Sequence, residues 1–225
     1  HEQLARATAV DRDFLLAAPV IQRCLTGDVT RETYVAFLTQ AYHHVRHTVP
    51  LLMAVGARLP DRHRWLQPAV LHYLEEEAGH DEWILNDIAQ AGGDRVAAAA
   101  SEPAIATEAM IAYAYDTVTR RNPLGFFGMV HVLEGTSVAL ALTAADRIQQ
   151  TLGLPTRAFT YLRSHGELDK EHVNDLAAIL ARLTEAEDRE AVIRCARGIY
   201  WLYGQVFRGL DVAVAAVPEP QRRIA

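Results

Sequence analysis

Two stretches of the sequence carry imidazoles and carboxylates at helical spacing, LEEEAGHDEW and SHGELDKEHVNDL, and a lone acid, Glu134, lies between them in HVLEGTSVAL. The first supplies Glu77 and His80; the second supplies His165, Asp169 and His172. Residues three, four and seven apart on a helix share a face, so each set is aimed at one point. Glu-x-x-His is the arrangement by which helical bundles hold carboxylate-bridged metal pairs. Glu134 sits in an apolar run, where a carboxylate is expensive to desolvate unless it is paired or metal-bound. Three imidazoles and three carboxylates suit iron or manganese better than structural zinc. The chemistry anticipated is oxygen activation at a redox metal.

Taken singly, each stretch also reads as a charged, solvated helix face, and Glu134 as the partner of a buried arginine. Their joint occurrence on helices that can face one another carries the metal reading. Gly79, Gly135 and Gly166 each adjoin a candidate ligand inside an expected helix. Helix-interior glycine costs about 0.5–1 kcal/mol relative to alanine, which suggests that space is needed beside the ligands. Glu76 and His72 lie within about two turns of His80, and His44 or His47 can reach the site from the preceding helix. Arg46 offers a planar fork for a substrate carboxylate, and Tyr203, with Tyr200, Trp201 and Phe207, supplies aromatic surface for a pocket or the core. Arg46, His47 and Tyr203 are therefore the candidate substrate-binding residues, and Glu77 and Glu134 the candidate catalytic carboxylates.

The elements that must hold these residues are helices. No run alternates in the manner of a strand, and the periodicity predicts about seven helices in one all-α domain over residues 1–225. The expected spans are Gln3–Leu25, Thr30–Leu59 kinked at Pro50, and Asp61–Ala91 broken near Pro68. Pro103–Arg121, Pro123–Leu152, Pro155–Leu183 and a last helix from Thr184 or Glu185 to about Pro218 follow. No apolar run is expected to be long enough for a membrane, and a cytoplasmic location is anticipated. The formal charge is −6, with Lys170 the single lysine, so a nucleic-acid partner is not expected. Cys24 and Cys195 lack metal-ligand spacing and read as small buried hydrophobes. An apolar helix face leaves a homodimer open.

From Tyr34 to Ala178 the sequence resembles the heme-oxygenase-like diiron oxidases. The resemblance is carried by His165-x-x-x-Asp169-x-x-His172, by Glu134 some thirty residues upstream and by the earlier His80; Glu77 looks like the partner acid of the fatty-acid-decarboxylating branch. It implies a heme-oxygenase-like fold, two iron ions per chain with the second one labile, O2 as co-substrate and an external electron donor. It further implies that His80, Glu134 and His165 or His172 hold iron, with Glu134 or Glu77 bridging and Asp169 completing the second site. The implied reaction is N-oxygenation or oxidative C–C cleavage of a small amino-acid-like or fatty-acid-like substrate in specialised metabolism. Where other branches have a glutamate seven residues before the first histidine, this chain has Tyr73, so one iron site is expected to differ. The competing readings are a metal-independent enzyme on the same fold, like the thiaminase-type hydrolases or the pyrroloquinoline quinone synthases, and a ferritin-like metal-binding bundle.

Overall fold

Proline and glycine divide the chain more finely than hydrophobic periodicity suggests. In this computed structural model residues 1–215 are described, apart from the side chains of residues 167, 168, 170, 171 and 211–215. The expected end of the last helix at Pro218 lies outside the described residues.

The first expected helix is three: α1 (Glu2–Ala7), α2 (Ala9–Leu16) and α3 (Pro19–Thr26). Pro19, which has no N–H to give, begins α3, where none is needed. The second is divided into α4 (Arg31–Val45) and α5 (Thr48–Arg58). Thr30 caps α4 as expected, its hydroxyl accepting the Thr33 N–H. The break falls at Arg46–His47, not at Pro50, which sits in the first turn of α5. The third becomes a 3₁₀ segment (Asp61–Leu66), α6 (Gln67–Glu77) and α7 (His80–Gln90). Pro68 lies in the first turn of α6, and a second break falls at Ala78–Gly79, between the two residues of the Glu-x-x-His motif. Gly79 has φ +89°, so its role is to turn the chain, not to open space inside a helix.

The chain continues through α8 (Arg95–Ala100), α9 (Ile105–Arg120), α10 (Phe126–Leu152), α11 (Thr160–Arg182) and α12 (Ala186–Ala215). Short 3₁₀ turns precede α10 and α11, and no strand occurs among the described residues. Contrary to the sequence expectation, the segment Pro123–Leu152 is long and apolar enough to cross a membrane, with a mean hydropathy of 1.4 over its most apolar window. That window is 67% buried inside the protein, and α10 is the central core helix, packed against α11, α12 and α3. Close approach is built in: a Cβ at Gly128 of α10 would lie 2.2 Å from the Val192 carbonyl of α12, and one at Gly166 of α11 would lie 2.7 Å from Leu142 Cγ of α10.

Among the described residues the core consists of two apolar clusters. One takes Phe126, Phe127, Met129 and Val132 of α10 and Leu176 and Ile179 of α11; the other takes Ala141, Ala145 and Ile148 of α10 and Tyr161 and Leu162 of α11. Between them α10 contributes Glu134 and Thr136, and α11 contributes His165, Asp169 and His172. The polar site thus lies at the seam of the hydrophobic core.

Candidate metal centre

Glu77 is the last residue of α6 and His80 the first of α7, and the turn at Gly79 leaves Glu77 Oε2 3.2 Å from His80 Nδ1. From α11, the His165 ring meets the His80 ring edge-on at 4.7 Å. His165 Nδ1 lies 3.1 Å from the Tyr161 carbonyl, which places the proton on Nδ1 and leaves Nε2 as the donor atom for a metal. About two turns along α11, His172 Nε2 donates to Glu76 Oε2 at 2.6 Å. Its Nδ1 faces Glu134 Oε1 at 3.4 Å and Asp169 Oδ1 at 3.5 Å without an aligned hydrogen bond.

Among the described residues two groups of potential ligands result, Glu77–His80–His165 and Glu77–Glu134–His172, the donor atoms of each lying within 4.8 Å of one another. Glu77 belongs to both. Glu134 Oε2, both Asp169 carboxylate oxygens and His172 Nδ1 are buried without a hydrogen-bond partner among the described residues. Orphaned donors and acceptors of this kind, converging in a hard oxygen-and-nitrogen set, fit an iron or manganese pair.

The protonation of these groups follows from their surroundings. Burial pushes Glu134 up to about 8, opposed by His172 and reinforced by the Asp169 charge. For His172 burial favours the neutral ring, but Asp169, Glu134 and Glu76 outweigh it and raise the imidazole to about 11. Burial also opposes the Glu77 charge, yet His80, His165 and His172 prevail and hold that carboxyl below the usual range. Burial lowers His165. A cation entering the Glu77–Glu134–His172 group therefore has protons to displace.

Glu77, Glu134, His165 and Asp169 stand in the wall of a cavity of about 170 Å³ whose remaining lining is mainly apolar, including Val20, Phe37, Leu140, Ile148 and Phe207. Tyr203 and His44 are also in that wall. Arg46 and His47 are not: Arg46 is exposed, its guanidinium over the Tyr42 ring, and His47 pairs with the Tyr115 hydroxyl at 3.1 Å. His72 is on the outer side of Glu76, at 3.3 Å. The cysteines are unpaired; Cys195 is buried as expected, but Cys24 borders the cavity. Tyr161, whose carbonyl fixes His165, and Trp83, packed on His80 at 4.1 Å, escaped the sequence reading. Tyr161 precedes His165 by one helical turn, and that spacing was the available signal. Tyr73, noted only as a departure from the family pattern, packs its ring on His172 at 5.0 Å.

The sequence matches the family described as iron-containing redox enzymes over residues 35–204. The chain belongs to that family. A domain of unknown function with a heme oxygenase-like fold from Shewanella denitrificans OS217 is 25% identical, with a TM-score of 0.83 over 93% of this chain and 90% of that one. At lower identity the same architecture recurs in a TenA homologue from Pseudomonas syringae pv. tomato DC3000 (10% identical, TM-score 0.74, 93% and 92% covered). It also recurs in heme oxygenase-1 of the cyanobacterium Synechocystis sp. PCC6803, solved with heme (13% identical, TM-score 0.72, 95% and 93% covered). No curated protein sequence matches. This member of the family accordingly has an all-α, heme-oxygenase-like fold, as its sequence suggested.

Proposed function

We propose that this iron-containing redox enzyme is a non-heme diiron oxidase or oxygenase acting on an aliphatic acid of fatty-acid type. The observation that carries the reading is the sharing of Glu77 by two ligand groups beside an apolar cavity. Glu77, His80 and His165 would hold one ion and Glu77, Glu134 and His172 the other, with Asp169 nearby and Glu77 common to both groups. Two irons, when bound, supply the redox chemistry that activates O2, with electrons from an external donor. The chain's own residues do the rest. The Tyr161 carbonyl and Glu76 orient the two α11 imidazoles, and the apolar wall excludes water and takes up a hydrocarbon tail. The second ion is the more labile, because Glu134 and His172 retain protons that it must displace.

The mainly apolar wall of the cavity supports a fatty-acid-like substrate over an amino-acid-like one, and Arg46 lies outside that wall. The TenA-like alternative has Cys24 available in the cavity wall, but burial pushes its thiol up to about 11, which leaves it a poor nucleophile. The test is O2 uptake by the Fe(II)-loaded protein with octanoate, dodecanoate, hexadecanoate or free amino acids, and mass analysis of the products. Uptake stimulated by an aliphatic acid, with an oxidised or shortened product, is expected. Stimulation by amino acids alone, or by neither class, contradicts the reading.

A further inference from the structure

His44 projects from α4 into the cavity wall, is 3% exposed, and has no hydrogen-bond partner at either ring nitrogen among the described residues. A buried imidazole with both nitrogens unmet is destabilising unless something else fills the space. Its aromatic neighbour is Tyr203, which meets it edge-on at 5.8 Å. His44 belongs to neither group of converging ligands, so the metal pair does not account for it. Burial, with the neighbouring His165, His47 and His43, pushes the ring down to about 3. At neutral pH it therefore carries one N–H and one lone pair and no charge.

Among the described residues the other partnerless buried polar side chains of the same wall are Glu134 and Asp169, which are acceptors when ionised, and Ser137, whose hydroxyl is a second unused donor. A carboxylate head entering this cavity meets few donors, and His44 is one that stands unused. We infer that His44 is a substrate-binding residue whose ring N–H holds the carboxylate head of the aliphatic acid beside the metal site, with the tail against Phe37, Leu140 and Phe207. This rests on the fatty-acid reading given above. It assigns the head-group contact to a neutral donor inside the cavity in place of the exposed Arg46 fork.

The test is calorimetric binding of dodecanoate to the anaerobic Fe(II)-loaded protein, in wild type, His44→Leu and His44→Gln, with iron stoichiometry measured in parallel. Leucine removes the donor and glutamine restores one. His44→Leu is expected to weaken dodecanoate about tenfold, the effect of losing one hydrogen bond, with His44→Gln recovering most of it and iron content unchanged in both. Equal affinity in wild type and His44→Leu overturns the assignment while leaving the fatty-acid reading standing. Loss of an iron in His44→Leu overturns it in favour of a metal-ligand role. No binding of any aliphatic acid to the wild type overturns the fatty-acid reading and the assignment with it.

Discussion

Glu76 Oε2 lies 2.6 Å from His172 Nε2, and this contact turns the other ring nitrogen of His172 toward Glu134 and Asp169. Glu76 is itself held from the outside by His72 at 3.3 Å. A carboxylate behind a ligating imidazole fixes its tautomer and orientation, and removal typically lowers metal affinity about 10–100-fold. Glu76→Ala is expected to weaken the second ion by about that factor and leave the first unchanged. Glu76→Gln, which keeps an acceptor oxygen, should recover most of the affinity. Stepwise Fe(II) or Co(II) titration separates the two ions; equal weakening of both would contradict the role.

The junction of α10 and α12 tolerates no side chain at position 128. A Cβ there would meet backbone atoms, the Val192 carbonyl oxygen at 2.2 Å and the Ala196 nitrogen at 2.7 Å, which cannot step aside. Gly128→Ala should destabilise by about 1–3 kcal/mol or more. At Gly135, one residue from Glu134, the methyl that alanine adds would have nothing within 4 Å, so Gly135→Ala should be neutral or stabilising by up to about 1 kcal/mol. Denaturant unfolding of both variants measures the contrast.

Asp87 of α7 accepts the Tyr161 N–H at 2.8 Å in the first turn of α11. The bond ties the helix that begins with His80 to the helix that carries His165, Asp169 and His172. Asp87→Ala leaves a buried donor unmet, at a cost of about 1–3 kcal/mol. Asp87→Asn preserves an acceptor and should lie closer to wild type. Comparable stability of Asp87→Ala and wild type in thermal unfolding would show that the tie contributes little.

The metal-free site should make the fold sensitive to base. Glu134 is raised from an ordinary value of 4.5 to about 8, so between those values the folded state binds the proton more tightly than the unfolded one. Its contribution is fully present below about pH 4.5 and is lost as pH rises through about 8. Metal-free Glu134→Gln, which cannot ionise, should therefore be more stable than wild type at pH 8, with the difference shrinking as pH falls toward 4.5. A difference independent of pH would contradict the buried, proton-retaining carboxyl.

The shared face of His165, Asp169 and His172 was legible because they lie at helical spacing, and Glu134 because it is an acid in an apolar run, whereas Glu77 and His80 meet through the turn at Gly79 and not through helical spacing. The interruptions were not legible. Gly79 reads as an interior helical glycine until the chain is seen to turn left-handed there, and Pro50 reads as a kink although it occupies a first turn where its missing N–H does no harm. Arg46 illustrates a different limit. Its type suits a carboxylate, but two residues of rotation at the end of α4 separate the exposed guanidinium from the buried His44, and periodicity alone does not fix that rotation. The long apolar face of α10 was likewise ambiguous between core and membrane until its packing against α11 and α12 was known.

The two-ion centre stands on the shared position of Glu77, and anaerobic Fe(II) titration of the metal-free protein tests it most directly. Wild type should bind two irons per chain, His165→Ala should lose the ion of the Glu77–His80–His165 group, Glu134→Ala should lose the other, and Glu77→Ala should lose tight binding of both while all three stay helical. Undiminished iron binding by Glu77→Ala, or by His165→Ala and Glu134→Ala together, would contradict the diiron centre.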